Sequence, residues 1–248
     1  MMQTKNIPES LSTELQQRIE SVQNTLNHIQ STFFPAALAS SLSIEDMVLT
    51  DLILRHSMNI SIFTLDTGRM HGDTLDVIKS IEGKYNARID IYRPSQEDTL
   101  NYINEYGLNG FYQSVALRQR CCEIRKVNPL RQALSGKKSW LTGQRRDQSI
   151  TRDALPMQTF DHLYGLEKFN PLVDWNEQNV WDYIKYYAVP YNRLYDQGYP
   201  SIGCAPCTRP IVHGEDIRAG RWWWETPDTK ECGLHIGTDG KLQSIRKT

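Results

Sequence analysis

The sequence has no excess of charge of either sign, since its formal net charge is −1 over 248 residues. Proteins whose main role is to bind nucleic acid usually carry a basic surplus, so this balance argues against that class for the chain as a whole. Residues 1–7 contain no apolar signal-peptide core, and no stretch approaches the length that spans a membrane. We therefore expect a cytoplasmic protein that binds neither nucleic acid nor a membrane.

Cysteine is scarce, with five in the chain. Cysteines in a reducing compartment rarely form structural disulfides, so metal binding or catalysis explains them better. They fall into three groups: the adjacent Cys121 and Cys122, the C-x-x-C of Cys204 and Cys207, and the single Cys232. Four thiols suit a metal ion or a cluster, and one is left over to react.

The sequence also lacks internal repeats and low-complexity segments, and strands alternate with helices along its first part. Apolar spacing predicts a first helix over residues 12–29. Strands are predicted over 36–39, 60–65, 88–92 and 139–142. Helices are predicted over 44–56, 70–81, 97–106 and 113–134, the last kinked or split at Pro129. After residue 151 we expect irregular structure apart from a helix near 177–187.

This alternation predicts an α/β fold, a doubly wound and mostly parallel sheet with helices on both faces and an irregular C-terminal extension. A chain of 248 residues is long enough to form it as one domain. Ligands of such folds bind beyond the carboxyl ends of the strands. The turns at 40–43, 66–68 and 143–146 should therefore line one pocket.

The adjacent cysteines favour an iron–sulfur cluster over zinc. A single zinc ion needs all its thiolates around one tetrahedral centre, which neighbouring side chains reach poorly. A [4Fe–4S] cube binds each thiolate at a different iron. Arg125 and Lys126, one helical turn further on, would offset its negative charge. The alternative, in which two of these cysteines are small buried apolar residues, explains the Cys-Ala-Pro-Cys sequence at 204–207 poorly.

The single cysteine, Cys232, has Lys230 and His235 close in sequence, and the nearby glycines indicate a mobile segment. A mobile thiolate suits a nucleophile that meets a bound substrate first and a separate reductant afterwards. On this pattern alone, an unreactive cysteine in a tail is an equal alternative.

Four arginines could donate to phosphate or sulfate oxygens: Arg145, Arg146, Arg218 and Arg221. Arg218 and Arg221 would share a face on a helical turn, and the alternative for all four is surface charge. The run Trp222-Trp223-Trp224 favours packing, although one ring could stack on a base.

The serine-rich turn at 40–43 could bind a phosphate at the start of a helix, or Ser43 could simply cap that helix. It has no G-K-[ST] sequence, so hydrolysis of a γ-phosphate is not indicated.

Together these motifs resemble one family, the assimilatory reductases of adenylyl sulfate and phosphoadenylyl sulfate. The motifs are Ser-Leu-Ser-Ile-Glu-Asp at 41–46, Leu-Asp-Thr-Gly at 65–68, Cys-Cys at 121–122, Thr-Gly-Gln-Arg-Arg-Asp-Gln-Ser at 142–149, Cys-Ala-Pro-Cys at 204–207 and Glu-Cys-Gly-Leu-His at 231–235. The resemblance runs from about residue 35 to 237. It implies a fold related to the adenosine nucleotide α-hydrolases, although the paired glycines of their pyrophosphatase loop are missing here.

The resemblance implies one [4Fe–4S] cluster on Cys121, Cys122, Cys204 and Cys207, with Cys232 as the catalytic nucleophile. Substrate contacts are expected from Ser41, Ser43, Leu65, Thr67, Lys126, Gly143, Arg145, Arg146, Arg218, Arg221 and His235. Which of the two adjacent arginines points into the pocket stays open. Within the single domain, 1–34 would form an N-terminal helix, 35–150 the nucleotide-binding core and 151–248 the cluster-binding and catalytic segment.

The resemblance further implies thioredoxin-dependent reduction of adenosine 5′-phosphosulfate to sulfite and AMP, through an S-sulfocysteine on Cys232, in sulfate assimilation and cysteine biosynthesis. Family members with the four paired cysteines prefer this nucleotide, and phosphoadenylyl sulfate, or both, is the alternative. The reductant would be a separate thioredoxin or a glutaredoxin-like protein, and a homo-oligomer is expected.

Two other classes stay open. A tRNA-thiolating enzyme of the pyrophosphatase fold would use ATP and bind RNA, against which the balanced charge counts. A metal-stabilised interaction domain would leave the Cys232 motif without a purpose.

Overall fold

The computed structural model describes residues 10–148 and 152–226. Its strands are β1 (Ala36–Ala39), β2 (Ile60–Leu65), β3 (Asp90–Tyr92), β4 (Ser139–Leu141), β5 (Gln158–Asp161) and β6 (Leu166–Phe169). Its α-helices are α1 (Thr13–Thr32), α2 (Ile44–Arg55), α3 (Gly72–Tyr85), α4 (Gln96–Tyr106), α5 (Val115–Cys122), α6 (Asn128–Leu134) and α7 (Glu177–Tyr186).

The strands form a six-stranded sheet in the order β3-β2-β1-β4-β6-β5. All neighbours are parallel except β5 and β6, which are antiparallel. The first strand, β1, lies in the middle of the sheet. The next two strands, β2 and β3, extend the sheet on one side, and the last three extend it on the other. The predicted α/β fold with a doubly wound, mostly parallel sheet is therefore confirmed.

Apolar side chains cover both faces of this sheet. Successive strand residues point to opposite faces, so Leu38 packs in one core with residues of α1, α2, α3 and α7. Ala37 packs in a second core with Trp140 and residues of α6. A strand buried on both faces is mostly apolar, as β1 is throughout and β2 is at four of its six positions, which is why both could be predicted at their observed bounds.

Two strands, β5 and β6, were not predicted, so the expectation of irregular structure was wrong for this part of the chain. β5 lies at the edge of the sheet, where most of its residues are exposed. An exposed edge strand needs no apolar pattern, and its sequence, Gln-Thr-Phe-Asp, carries none. The sheet consequently continues past residue 151.

The long helix predicted over 113–134 is divided in two, as the presence of Pro129 indicated. The division lies before the proline and not at it. A π-helical turn, Glu123–Val127, separates α5 from α6, and Pro129 lies in the first turn of α6. Proline cannot donate to the carbonyl four residues earlier, so the regular ladder is interrupted over the preceding turn. This π-helical turn begins directly after Cys122, and Lys126 lies within it. None of the helices in the described ranges is long and apolar enough to cross a membrane.

Candidate active site

A cavity of about 300 Å³ opens at the carboxyl ends of the central strands. The three turns predicted to meet there all contribute to its wall, through Ser41, Thr67 and Gly143 among others. The prediction of one pocket formed by three turns is confirmed. The topology explains its position, because β1 lies between β2 and β4 where the chain changes direction across the sheet.

The carboxylate of Asp46 joins two of these turns. It accepts hydrogen bonds from the backbone N–H and hydroxyl of Ser41, at 2.7 and 2.6 Å, and from the Gly143 N–H at 2.8 Å. A side chain at position 143 could not fit, because its Cβ would lie 2.6 Å from Asp46 Oδ1. Between the serines, Leu42 has φ 63° and a fully buried side chain. The serine turn is thus held from both ends.

Burial raises the pKa of Asp46 to about 6, despite the lowering effect of the hydrogen bonds from Ser41 and Gly143. A carboxyl whose pKa is raised in the folded state favours folding below its unfolded pKa, near 4, and loses that contribution as the pH rises through 6. We therefore expect the unfolding free energy of the native protein, measured against Asp46→Asn, to fall by roughly 2–3 kcal/mol between pH 4 and 6.5. Urea denaturation of the native protein and of the Asp46→Asn variant, between pH 4 and 6.5, measures this change in unfolding free energy. A difference independent of pH would contradict the raised pKa.

Ser43 occupies the N-cap position of α2, but its side chain makes no capping hydrogen bond to the helix. Instead the Ile44 N–H donates to the hydroxyl of Tyr195 at 3.3 Å, and Ser43 Oγ lies 2.9 Å from Ser41 Oγ, within hydrogen-bond distance. Both serines line the cavity. The capping alternative for Ser43 is therefore wrong, because its side chain makes no capping hydrogen bond and the residue instead forms part of the cavity wall.

The second turn, after β2, connects the cavity to the cysteines. Leu65 and Thr67 line the cavity, and Thr67 Oγ1 lies 3.3 Å from the sulfur of Cys204. The carbonyl of Thr67 accepts from Arg125 Nη1 at 2.7 Å. Gly68 follows with φ 69°, a left-handed conformation that glycine adopts without strain. This turn is in contact with the segments that carry the two cysteine pairs.

The four paired cysteines form no disulfide among the described residues, and they lie within electrostatic range of one another. Burial raises the pKa of Cys207 to about 12, with further contributions from Cys204, Cys122 and Cys121. Burial alone would raise the pKa of Cys204 too, but Lys126, the Thr67 hydrogen bond and the nearby arginines bring it below its usual range.

Within the described ranges, no three His, Cys, Asp or Glu side chains are arranged around a single ion site. A cube of four irons separates its thiolates more widely than one ion does. The donor set, four mutually close thiols with basic neighbours, is therefore compatible with a cluster.

Five basic residues line the cavity: Lys126, Arg145, Arg152, Arg218 and Arg221, of which Arg152 was not predicted. Arg218 and Arg221 are joined by a hydrogen-bonded turn, Arg221 N–H to Arg218 carbonyl at 2.9 Å, and do not lie on a helix. Arg221 is packed against Gly203, where an added Cβ would lie 2.6 Å from the guanidinium. Close to these cations, Cys204 forms part of the same wall, so the cavity combines anion-binding groups with the cysteine site.

The adjacent arginines differ sharply. Arg145 lines the cavity, but its guanidinium is buried and donates to Glu45 Oε1 at 2.9 and 3.2 Å. Arg146 does not line the cavity, and it donates to the Leu155 carbonyl and to Asp174. Only Arg145 points inward, and its charge is already engaged by a carboxylate.

Cys232 and His235 lie outside the described residues, as does Ser149. Sequence reasoning did not single out Glu45, Asp46, Tyr195 or the position of Trp222 in the cavity wall. Two acidic residues directly after a serine turn were a visible signal for the first two, because acidic side chains in a first helical turn often bind backbone N–H groups.

Similarity to known proteins is extensive. Residues 35–210 match the phosphoadenosine phosphosulfate reductase domain. Adenosine 5′-phosphosulfate reductase from Allochromatium vinosum is 52% identical over 227 residues, which cover 92% of this chain and 87% of that protein. The protein of the same name from Neisseria meningitidis serogroup A is 51% identical over 224 residues, covering 90% of this chain and 92% of that protein.

Solved structures agree with the fold. Phosphoadenylyl-sulfate reductase from Candida auris, in a phosphate complex, superposes with a TM-score of 0.66 at 27% identity, covering 82% of this chain and 98% of that one. FMN adenylyltransferase from Candida glabrata superposes with a TM-score of 0.56 at 14% identity, covering 94% of this chain and 84% of that one, which shows a shared fold alone.

Proposed function

The chain belongs to the phosphoadenosine phosphosulfate reductase domain family, and from this premise we propose that it reduces adenosine 5′-phosphosulfate to sulfite and AMP. The observation that carries the proposal is the composition of the cavity wall, where Lys126, Arg218 and Arg221 lie beside the cysteine-bearing loop at Cys204. Planar guanidinium groups and an ammonium suit the phosphate and sulfate oxygens of such a ligand. The names of the relatives at about half identity support the form without a 3′-phosphate.

The chain's residues have distinct parts in this reaction. The ends of β1, β2 and β4 receive the adenosine, and the serine turn and the basic groups receive the phosphosulfate. The Cys232 thiolate attacks the sulfate sulfur, the bond from sulfur to the phosphate oxygen breaks, and AMP leaves with that electron pair. Basic side chains offset the charge that develops on the oxygens.

The resulting S-sulfocysteine is released by a dithiol reductant of the thioredoxin class. One of its thiolates attacks the Cys232 sulfur and expels sulfite, and its second thiol resolves the mixed disulfide. The two electrons come from the dithiol, which leaves as a disulfide. Sulfate assimilation and cysteine biosynthesis would consume the sulfite. A homo-oligomer and a cytoplasmic location stay predictions.

We further propose that Cys121, Cys122, Cys204 and Cys207 hold one [4Fe–4S] cluster. Their mutual proximity and the basic residues around them support it. When bound, the cluster supplies a fixed negative charge and a structural crosslink between α5 and the 204–207 loop. Lys126 lowers the pKa of the Cys204 thiol and also lines the cavity. Its positive charge would therefore interact with both the cluster and the substrate.

The cluster proposal is tested by Cys204→Ser. We expect the anaerobically purified variant to lose most of its iron and acid-labile sulfide, together with its visible absorbance, because one of four ligands is removed. Cys232→Ser is the matched control, since the same substitution outside the ligand set should leave the iron content at the native level. Equal iron content in both variants and the native protein would exclude Cys204 as a ligand.

The reaction is tested by trapping the intermediate. Anaerobically purified protein is mixed with adenosine 5′-phosphosulfate or its 3′-phosphorylated form, without reductant, then digested and analysed by mass spectrometry. A sulfonate on the Cys232 peptide with the first nucleotide is the expected result, and an adduct with both would widen the substrate range. No adduct in cluster-containing protein would overturn the proposed reaction.

A further inference from the structure

Arg118 and Glu225 form a buried ion pair that the proposed chemistry does not use. Their side chains are 1% and 4% exposed. The contact is bidentate, with Arg118 Nε and Nη2 each 2.9 Å from a carboxylate oxygen of Glu225. Removing two charges from water is costly, and well-packed apolar residues often stabilise a fold equally well. A pair at this position therefore calls for a role beyond stability.

The pair joins two parts of the molecule that matter to the reaction. Arg118 lies on α5, one turn before the adjacent cysteines, and is also hydrogen-bonded to the side chain of Cys122. Glu225 ends the last described turn of the chain and precedes Cys232 by seven positions. Arg118 thus connects the cysteine-bearing helix to the start of the segment that carries the reactive cysteine.

The turn that ends at Glu225 is strained. Trp222 has φ 40°, a left-handed conformation that a bulky side chain rarely adopts. Such a conformation persists only where its surroundings hold it. The Trp222 N–H donates to the Cys207 carbonyl at 3.0 Å, and the Glu225 N–H donates to the Trp222 carbonyl at 2.8 Å.

The indole of Trp222 adds a further restraint on this turn. The guanidinium groups of Arg118 and Arg221 lie 4.8 and 4.7 Å from its ring centre, within the range of a cation–π contact. Arg221 and Trp222 both line the cavity. The turn is therefore held at one end by the cavity wall and at the other by the Arg118–Glu225 pair.

We propose that Arg118 and Glu225 are positioning residues for the reaction, which fix the direction in which the chain leaves residue 225 towards Cys232. The proposal rests on the function proposed above for that cysteine. Seven extended residues reach at most roughly 25 Å, so a fixed starting point beside the cavity restricts where the thiolate can lie. Correct placement of a nucleophile affects the rate of attack without affecting how tightly the nucleotide binds.

The test compares Glu225→Gln and the double variant Arg118→Met/Glu225→Leu with the native protein. The double variant leaves no unpaired buried charge, so it keeps the test valid if the single variant folds poorly. Cys232 sulfonation is followed in a single turnover, and AMP affinity is measured by calorimetry. We expect sulfonation to slow by roughly 10- to 100-fold and the AMP dissociation constant to stay within about twofold.

Glu215→Gln is the matched control. It breaks a bidentate pair with Arg209 in the same part of the chain, at 2.7 and 2.8 Å, but that pair is partly exposed. Its sulfonation rate should equal that of the native protein. Native rates in both test variants would overturn the proposal, and so would a loss of AMP affinity equal to the loss of rate, because a general structural defect affects both.

Alkylation of Cys232 by iodoacetamide, with AMP bound, separates this proposal from the function itself. We expect the test variants to be alkylated several-fold faster than the native protein, because Glu225 would no longer be held by Arg118. If the native protein forms no sulfonate adduct, the proposed function fails. The alkylation rates alone then test whether Arg118 and Glu225 hold the segment that leads to Cys232. Unequal rates would then retain the pair as the anchor of the segment, and equal rates would overturn it.

Discussion

Cys232→Ser is expected to abolish sulfite production, lowering turnover by about 10³-fold or more, as removal of a covalent nucleophile generally does. A serine hydroxyl is far less acidic than a thiol, so little of it is ionised at neutral pH and available to attack the sulfate sulfur. The second half of the reaction fails as well, because a dithiol reductant can exchange only with a sulfur atom.

Three measurements make this result specific. Sulfite release with a dithiol reductant reports the whole cycle, and mass spectrometry of the 232-containing peptide reports the first half. Iron content and AMP affinity should equal those of the native protein, since Cys232 lies outside the proposed cluster ligands. Turnover retained within about tenfold would require another nucleophile and would remove the basis of the proposed mechanism.

The central fold and the position of the pocket followed from local sequence patterns. β1 and β2 are short, mostly apolar segments followed by polar turns, and both signals depend only on neighbouring residues. Because parallel strands bring their carboxyl ends to one edge, the meeting of three turns at one cavity could be inferred without knowing any side-chain contact. The exposed edge strand β5 gave no such signal, because most of its residues are exposed and need not be apolar.

The side-chain pairs that hold the cavity together could not be predicted in the same way. Asp46 and Gly143 are 97 positions apart, and Arg118 and Glu225 are 107 apart. Each residue alone fits a solvent-exposed position, and only the tertiary fold shows that its charge or N–H group is buried. The same limit applies to the adjacent arginines, where sequence placed both near an anionic ligand and the structure brings only Arg145 to the cavity.

Arg145→Met is expected to destabilise the folded protein by about 3–5 kcal/mol, because it leaves a buried carboxylate without its cation. Arg145 is 2% exposed and its guanidinium donates to Glu45, to Asp147 at 3.1 Å and to the Trp175 carbonyl at 3.2 Å. After the substitution, Glu45 would keep the hydrogen bond from Gln148, at 2.9 Å, but would lose both hydrogen bonds from the guanidinium. Methionine fills a similar volume, so lost packing adds little.

The neighbouring position supplies the control. Arg146→Met removes an arginine whose side chain is 41% exposed and whose partner, Asp174, is 64% exposed, so its cost should be about 0–1 kcal/mol. Urea denaturation of the two variants measures the difference, and Glu45→Gln combined with Arg145→Met should recover much of the loss because no buried charge stays unpaired. If both arginine variants cost the same, or the double variant recovers nothing, Arg145 does not hold the cavity wall through Glu45. Its charge would then be available to an anionic ligand, as the sequence alone indicated.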